Sequence, residues 1–233
     1  MALFDEVRQS KSDEILGSDA ASRALSVIPV DTDFVTGVYE KIAAVYDYTF
    51  GPLLHPGRVD TIKRLVISPG DQLLEVGVGT GINASMFPRH AVVTGIDVSR
   101  RMLDRARERF ARKGVTNVRL FEMDATSLTF PDDSFDIVYA PFLISVVPDP
   151  VAVAREMRRV CRPGGRIIML NHFLSETKWL AAIERAISPM TVHLGFRSDL
   201  DLPAFLAQAD LKPIRVEKIS VTRIWSLVTC IKD

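Results

Sequence analysis

The stretch Gln72-Leu73-Leu74-Glu75-Val76-Gly77-Val78-Gly79-Thr80-Gly81 decides the fold. Apolar residues at 73, 74 and 76 make a short strand, and three glycines at alternate positions end it. Gly77 and Gly79 permit a tight turn with no Cβ between the backbone and a ligand. A dinucleotide-binding turn reads Gly-x-Gly-x-x-Gly and would place its third glycine at position 82, where Ile82 stands. Here the third glycine is Gly81, so the turn serves a ligand of another kind.

From this point outward the chain alternates strands and helices. Residues 92–96 read as a second strand ending in Asp97, and a helix over 99–113 stops at Gly114. Residues 117–121 and 135–140 read as the third and fourth strands. A helix over 151–161, a turn at Arg162-Pro163-Gly164-Gly165 and a fifth strand over 166–171 follow. Continuous apolar strands separated by helices predict a parallel sheet covered on both faces. Residues 213–218 and 220–231 are two strands with a link too short for a crossover, so that pair must be antiparallel. Upstream, residues 1–28 are loosely helical, and residues 31–49 predict a helix rich in aromatics, Tyr46 and Tyr48 among them. A loop carrying His55 leads to a helix over 58–66. The expected fold is therefore a doubly wound α/β domain with a mostly parallel seven-stranded sheet, an antiparallel last strand and N-terminal helices. Residues 67–233 form its core, and residues 1–66 cover it.

Composition excludes several classes. Lys plus Arg equals Asp plus Glu, at 29 each, which lacks the basic excess of a dedicated nucleic-acid binder. Cys161 and Cys230 follow no metal or redox spacing and read as buried free thiols, and no metal site is expected. The first residues lack the pattern of a signal peptide, and no apolar run reaches the ~20 residues of a membrane span. A cytoplasmic chain is expected, one still able to sit on a membrane face. A monomer is the expected state, though the sequence does not determine it.

The pattern Glu-x-Gly-x-Gly-x-Gly from Glu75 to Gly81 resembles the first motif of the class I methyltransferases that use S-adenosylmethionine (SAM). Asp97 lies 20 residues beyond Gly77, where a carboxylate can accept from both ribose hydroxyls; capping the next helix is the other reading, which Ser99 would serve equally well. The resemblance implies that Met102 flanks the adenine, that Asp124 and Ala125 meet its amine and ring nitrogen, and that Ala140 also belongs to the cofactor site. The implied cofactor is SAM, with S-adenosylhomocysteine as its product.

A narrower resemblance rests on Tyr46-Asp47, Phe50-Gly51-Pro52, Pro56-Gly57-Arg58, the stretch from Phe135 to Pro150, and Asn171-His172. From about Tyr39 to the C-terminus these motifs look like the bacterial phosphatidylethanolamine N-methyltransferases. Quinone-biosynthesis methyltransferases share some of them. The resemblance implies a lipid acceptor and a peripheral position on the inner face of the cell membrane. Such enzymes rest on anionic membranes through an N-terminal amphipathic helix; here Leu3, Phe4, Val7, Ile15, Leu16 and Leu25 form only a patchy stripe, with Arg8, Lys11 and Arg23 beside it.

The sulfonium makes the methyl electrophilic, so the protein mainly has to align donor and acceptor. An amine attacks only when neutral, and deprotonating one of pKa ~10 at neutral pH costs about 4 kcal/mol. His172, at the end of the fifth strand, is the candidate proton acceptor, ahead of His55 and His193, with His90 read as surface. Asn171 and Tyr46 are expected to orient the amine, with Tyr48, Phe142 and Trp179 as further substrate contacts; an aromatic face favours a cationic headgroup. Leu180, Ile183, Ile187, Met190 and Leu194 recur at helical spacing within 173–196. That helix is either core-facing or a lid over acyl chains, and the lid is preferred. The leading function is a phospholipid headgroup N-methyltransferase, followed by a methyltransferase for quinone-type or small substrates. A non-catalytic SAM-binding protein comes third.

Overall fold

The computed structural model describes residues 15–16, 57–175, 177–193, 198–219 and 224–233. Helix α1 covers 57–64. It is followed by β1 (Gln72–Val76), a 3-10 turn at Ala84–Met86, β2 (Val92–Asp97), α2 (Arg100–Lys113), β3 (Val118–Glu122) and β4 (Phe135–Pro141). Then come α3 (Pro150–Val160), β5 (Cys161–Asn171), α4 (Lys178–His193), α5 (Leu202–Gln208), β6 (Pro213–Ile219) and β7 (Trp225–Ile231). The sheet has seven strands in the order β3-β2-β1-β4-β5-β7-β6. All pairings are parallel except those of β7, which runs antiparallel between β5 and β6. The expected architecture stands.

Strand β1 explains why both faces are covered. Successive side chains of a strand point to opposite faces. Leu73 packs with Leu103, Ala106 and Phe110 of α2, whereas Leu74 and Val76 pack with Val153, Ala154 and Met157 of α3 and Phe205 of α5. All three β1 residues are fully buried. Deleting one such side chain to alanine typically costs 2–5 kcal/mol. Helix ends follow local rules. Ser99 Oγ caps α2 by accepting from Met102 N at 3.3 Å, and Gly114 ends it at φ +59°. Asp149 caps α3, with Pro150 at its first position.

Two boundaries differ from the sequence reading by more than about two residues. Strand β5 begins at Cys161, which pairs with Phe135 of β4, and bonds from Gly164 N to the Lys232 carbonyl and from Lys232 N to that of Gly165 carry it through the expected turn. Strand β7 begins at Trp225, and residues 220–223 lie outside the described residues. The helix read over 31–49, with Tyr46 and Tyr48, and the loop with His55 also lie outside them. Of the N-terminal apolar stripe, Leu16 packs against the core cluster that holds Leu74.

Candidate active site

Strand order reverses between β1 and β4, which is where an open α/β sheet forms a crevice at its carboxyl ends. A cavity of about 390 Å³ lies there. Its walls are the turn after β1, the start of α2, the Met123–Thr126 segment after β3 and the segment running from β4 into α3. Gly77, Gly79, Asp97, Met102, Asp124, Ala125 and Phe142, all singled out in the sequence, line it. Distant parts of the chain meet because each follows a parallel strand.

Asp97 stands at the centre of this wall. Its Oδ2 accepts from Gly79 N and its Oδ1 from Ser99 N, both at 2.9 Å. The capping role falls to Ser99, so Asp97 ties the glycine turn to the start of α2. Desolvation pushes its carboxyl above the usual range, against the two backbone donors. Each oxygen keeps a further lone pair, so two ligand hydroxyls would relieve that penalty. Gly77 sits at φ +74° and Gly79 at φ +55°, and nothing lies within 4 Å of where a Gly79 Cβ would stand. The turn thus leaves open the space that a ligand tail needs. Asp124 Oδ1 accepts from the backbone and hydroxyl of Thr126, both at 2.8 Å, fixing the opposite wall.

Several expected site residues stand elsewhere. Glu75 is completely buried and does not line the cavity. It faces Asn83, whose Nδ2 donates to its Oε1 at 3.0 Å, and burial pushes its carboxyl up to about 8. Gly81 packs under the turn; a Cβ there would stand 2.7 Å from Phe110 Cε1. Ala140 is buried in the core, and its neighbour Pro141 lines the cavity in its place. Asn171 is fully buried, its Nδ2 donating to the His172 carbonyl at 3.1 Å. The His172 ring lies 3.2 Å from the Ile224 carbonyl at Nδ1 and 3.4 Å from Glu184 Oε1 at Nε2. Those contacts tie the strand end to α4 and to the residue before β7, and His172 is not among the residues that line the cavity. Among the described residues, no histidine lines the cavity.

Trp179 lies on α4 outside the cavity and is 66% exposed. Ile183 and Ile187, at i+4 and i+8, are exposed with it, while Ala181 and Ser188 are buried. The helix thus turns an apolar stripe outward, which removes the core-facing reading for these positions.

The sequence reading gives no role to the side chains of Arg58 and Asn83, which line the cavity from α1 and from beyond the glycine turn. Arg58 Nη1 donates to Asn83 Oδ1 at 3.2 Å, and its guanidinium lies 5.0 Å from the Phe142 ring centroid. Phe142 has φ +57°, a left-handed conformation that costs a non-glycine residue of order 1–3 kcal/mol. A bond from its N to the Leu170 carbonyl at 2.6 Å and edge packing on Trp225 hold it there. The Pro-Gly-Arg motif carries Arg58, but only the fold brings it to Asn83, 25 residues on.

The methyltransferase domain family matches residues 74–169. Over 192 residues the chain is 40% identical to a phosphatidylethanolamine N-methyltransferase from Cereibacter sphaeroides, covering 82% of this chain and 94% of that one. It is 30% identical to a ubiquinone/menaquinone biosynthesis C-methyltransferase from Cupriavidus taiwanensis, over 82% and 81% of the two chains. The crystal structure of the cyclase SpnF shares the fold, with a TM-score of 0.74, 19% identity and coverage of 90% and 99%. With a carboxylate at Asp97 that could accept from ribose hydroxyls, open turn space at Gly79 and apolar side chains at Met102 and Val98, the cavity fits SAM as cofactor. The chain belongs to the SAM-dependent methyltransferases.

Proposed function

We propose that this methyltransferase acts on the amine of the phosphatidylethanolamine headgroup, giving methylated intermediates and then phosphatidylcholine. The observation that carries the reading is the outward stripe of Trp179, Ile183 and Ile187 on α4. Helix α4 follows β5, whose carboxyl end lies on the same sheet edge as those of β1 and β4, where the cavity is. A lipid acceptor needs such an apolar surface next to the site; a small polar acceptor does not. The Cereibacter relative supports the same substrate through similarity over most of its length.

SAM supplies the electrophilic methyl when bound. The chain's part is to hold the nucleoside at Asp97 and Met102, close the cavity to water, and present the amine in line. Three carboxylates, Asp97, Asp124 and Asp149, line the cavity and favour a cationic headgroup, as would the aromatic face of Phe142. The reading includes a peripheral position on the inner face of the cell membrane. Binding to anionic vesicles should exceed binding to zwitterionic ones and weaken with salt.

A quinone-type acceptor is the second reading, favoured by the similarity to the Cupriavidus enzyme. Incubation with radiolabelled SAM and a lipid extract, followed by thin-layer separation, decides between them. Label in methylated phosphatidylethanolamine is expected, and label confined to quinone or water-soluble products ends the proposal. Tyr46→Phe should slow turnover moderately and Tyr46→Ala severely, since the ring is the part required.

A further inference from the structure

We propose that Arg58 is the oxyanion-receiving side chain of the cavity, held in place by Asn83 and Glu75. The group it takes is either the carboxylate of the cofactor's aminoacid tail or a phosphodiester oxygen of the acceptor. The carboxylate arm rests on the cofactor class alone, and the phosphodiester arm rests on the lipid reading as well. Arg58 is only 6% exposed, yet it lines the cavity. Among the described lining residues it is the one cation, in a lining that also holds Asp97, Asp124 and Asp149. A ligand oxyanion would be repelled by those carboxylates and has one favourable place to go.

The guanidinium's hydrogen bonding is incomplete. Nη1 donates to Asn83 Oδ1 at 3.2 Å, and one face stacks over Phe142. Its Nε is sealed from solvent with no acceptor among the described residues. That atom is closed to a ligand as well, and the Nη edge of the fork is the part that can meet a carboxylate or phosphate at two points. Beneath it, Asn83 spends its oxygen on Arg58 and its amide on Glu75 Oε1 at 3.0 Å. The amide cannot flip without placing its NH₂ against the guanidinium, so Glu75 fixes the direction in which Asn83 holds Arg58. Glu75 is thus a positioning residue that acts through Asn83.

Calorimetry of the full chain with S-adenosylhomocysteine and with 5′-methylthioadenosine, which lacks the aminoacid tail, tests the proposal. Arg58→Ala should weaken S-adenosylhomocysteine by about 10- to 100-fold and leave methylthioadenosine within about twofold. Arg58→Lys keeps the charge but loses the fork, so it should show a smaller loss of the same selectivity; if the alanine variant does not fold by circular dichroism, the lysine variant decides. Should both nucleosides bind as in wild type while KM for phosphatidylethanolamine vesicles rises about tenfold, the oxyanion is the acceptor's phosphate. Equal weakening of both nucleosides would make Arg58 merely structural and overturn the proposal. Unchanged nucleoside binding with unchanged KM, or with no phosphatidylethanolamine turnover at all, would overturn it too.

Discussion

Glu75→Gln isolates the effect of an ionisable group buried beneath the cofactor turn. In the folded chain Glu75 titrates at about 8, against an ordinary value of 4.5, because burial disfavours its charged form. Between those values the unfolded chain has lost the Glu75 proton while the folded chain keeps it. The unfolded state then binds fewer protons, so this residue makes stability fall as pH rises through the window. The slope is about 1.4 kcal/mol per pH unit and accumulates to on the order of 4–5 kcal/mol at the alkaline end. Glutamine keeps the acceptor that meets Asn83 Nδ2 and cannot ionise. Its amide nitrogen takes the place of Oε2, which has no partner, and that costs about 1–3 kcal/mol at every pH. Urea unfolding of both proteins between about pH 5 and pH 8 separates the two effects, since all other titrating groups cancel in the difference. The variant should gain on the wild type steadily as pH rises. A stability difference flat to within about 0.5 kcal/mol across that range would refute a neutral buried Glu75.

Three further outcomes follow from the geometry. Asp97→Ala should weaken S-adenosylhomocysteine and methylthioadenosine alike, by about 2–3 kcal/mol, since both carry the ribose; in the wild type, affinity should fall as acid protonates Asp97, at a pH above the usual carboxylate range, and calorimetry against pH reads both effects. Gly81→Ala must adopt φ +74° and would bring a Cβ within 2.7 Å of Phe110 Cε1, so the thermal midpoint should drop by an amount equal to about 2–4 kcal/mol. Ile183→Lys with Ile187→Lys should leave stability within about 0.5 kcal/mol, because both side chains are exposed, and reduce co-sedimentation with phosphatidylethanolamine-containing vesicles; full binding by this variant would remove α4 from the membrane contact.

The fold was legible because local signals agreed. The strand before Gly77, the capping Ser99 with Gly114 and the unbridged tail each specify one element, and parallel pairing follows from the helices between. The cavity wall was legible where a residue follows a strand end, as Asp97 and Asp124 do. Orientation was not legible. Ala140 shares β4 with the lining Pro141, but strand side chains alternate, and Glu75, two residues before the lining Gly77, is likewise turned into the interior. His172 and Asn171 end the right strand, yet the His172 ring is engaged by Ile224, just before β7, and by Glu184 of α4, while the Asn171 amide bonds the His172 carbonyl. Arg58 stood in a quoted motif but its role was not legible: its partner Asn83 is 25 residues away and joined to it only by the fold.

These misplacements share a cause that bears on how the site works. An apolar residue at position 75 would fit the buried face of β1 and avoid the desolvation of a carboxyl there. The chain instead buries Glu75 with one oxygen unpartnered, and the bonds it does support lead through Asn83 to Arg58 and so to the cavity. Phe142, held at φ +57°, presents its ring to the same guanidinium. Two locally unfavourable features, one electrostatic and one conformational, thus converge on a single side chain. Selection for stability alone would favour removing both, since each is locally unfavourable. What they have in common is a fixed position for the cavity's one described cation, set before any ligand arrives. Preorganisation of that kind is where binding energy is conserved, because the guanidinium does not have to be reoriented each time cofactor enters.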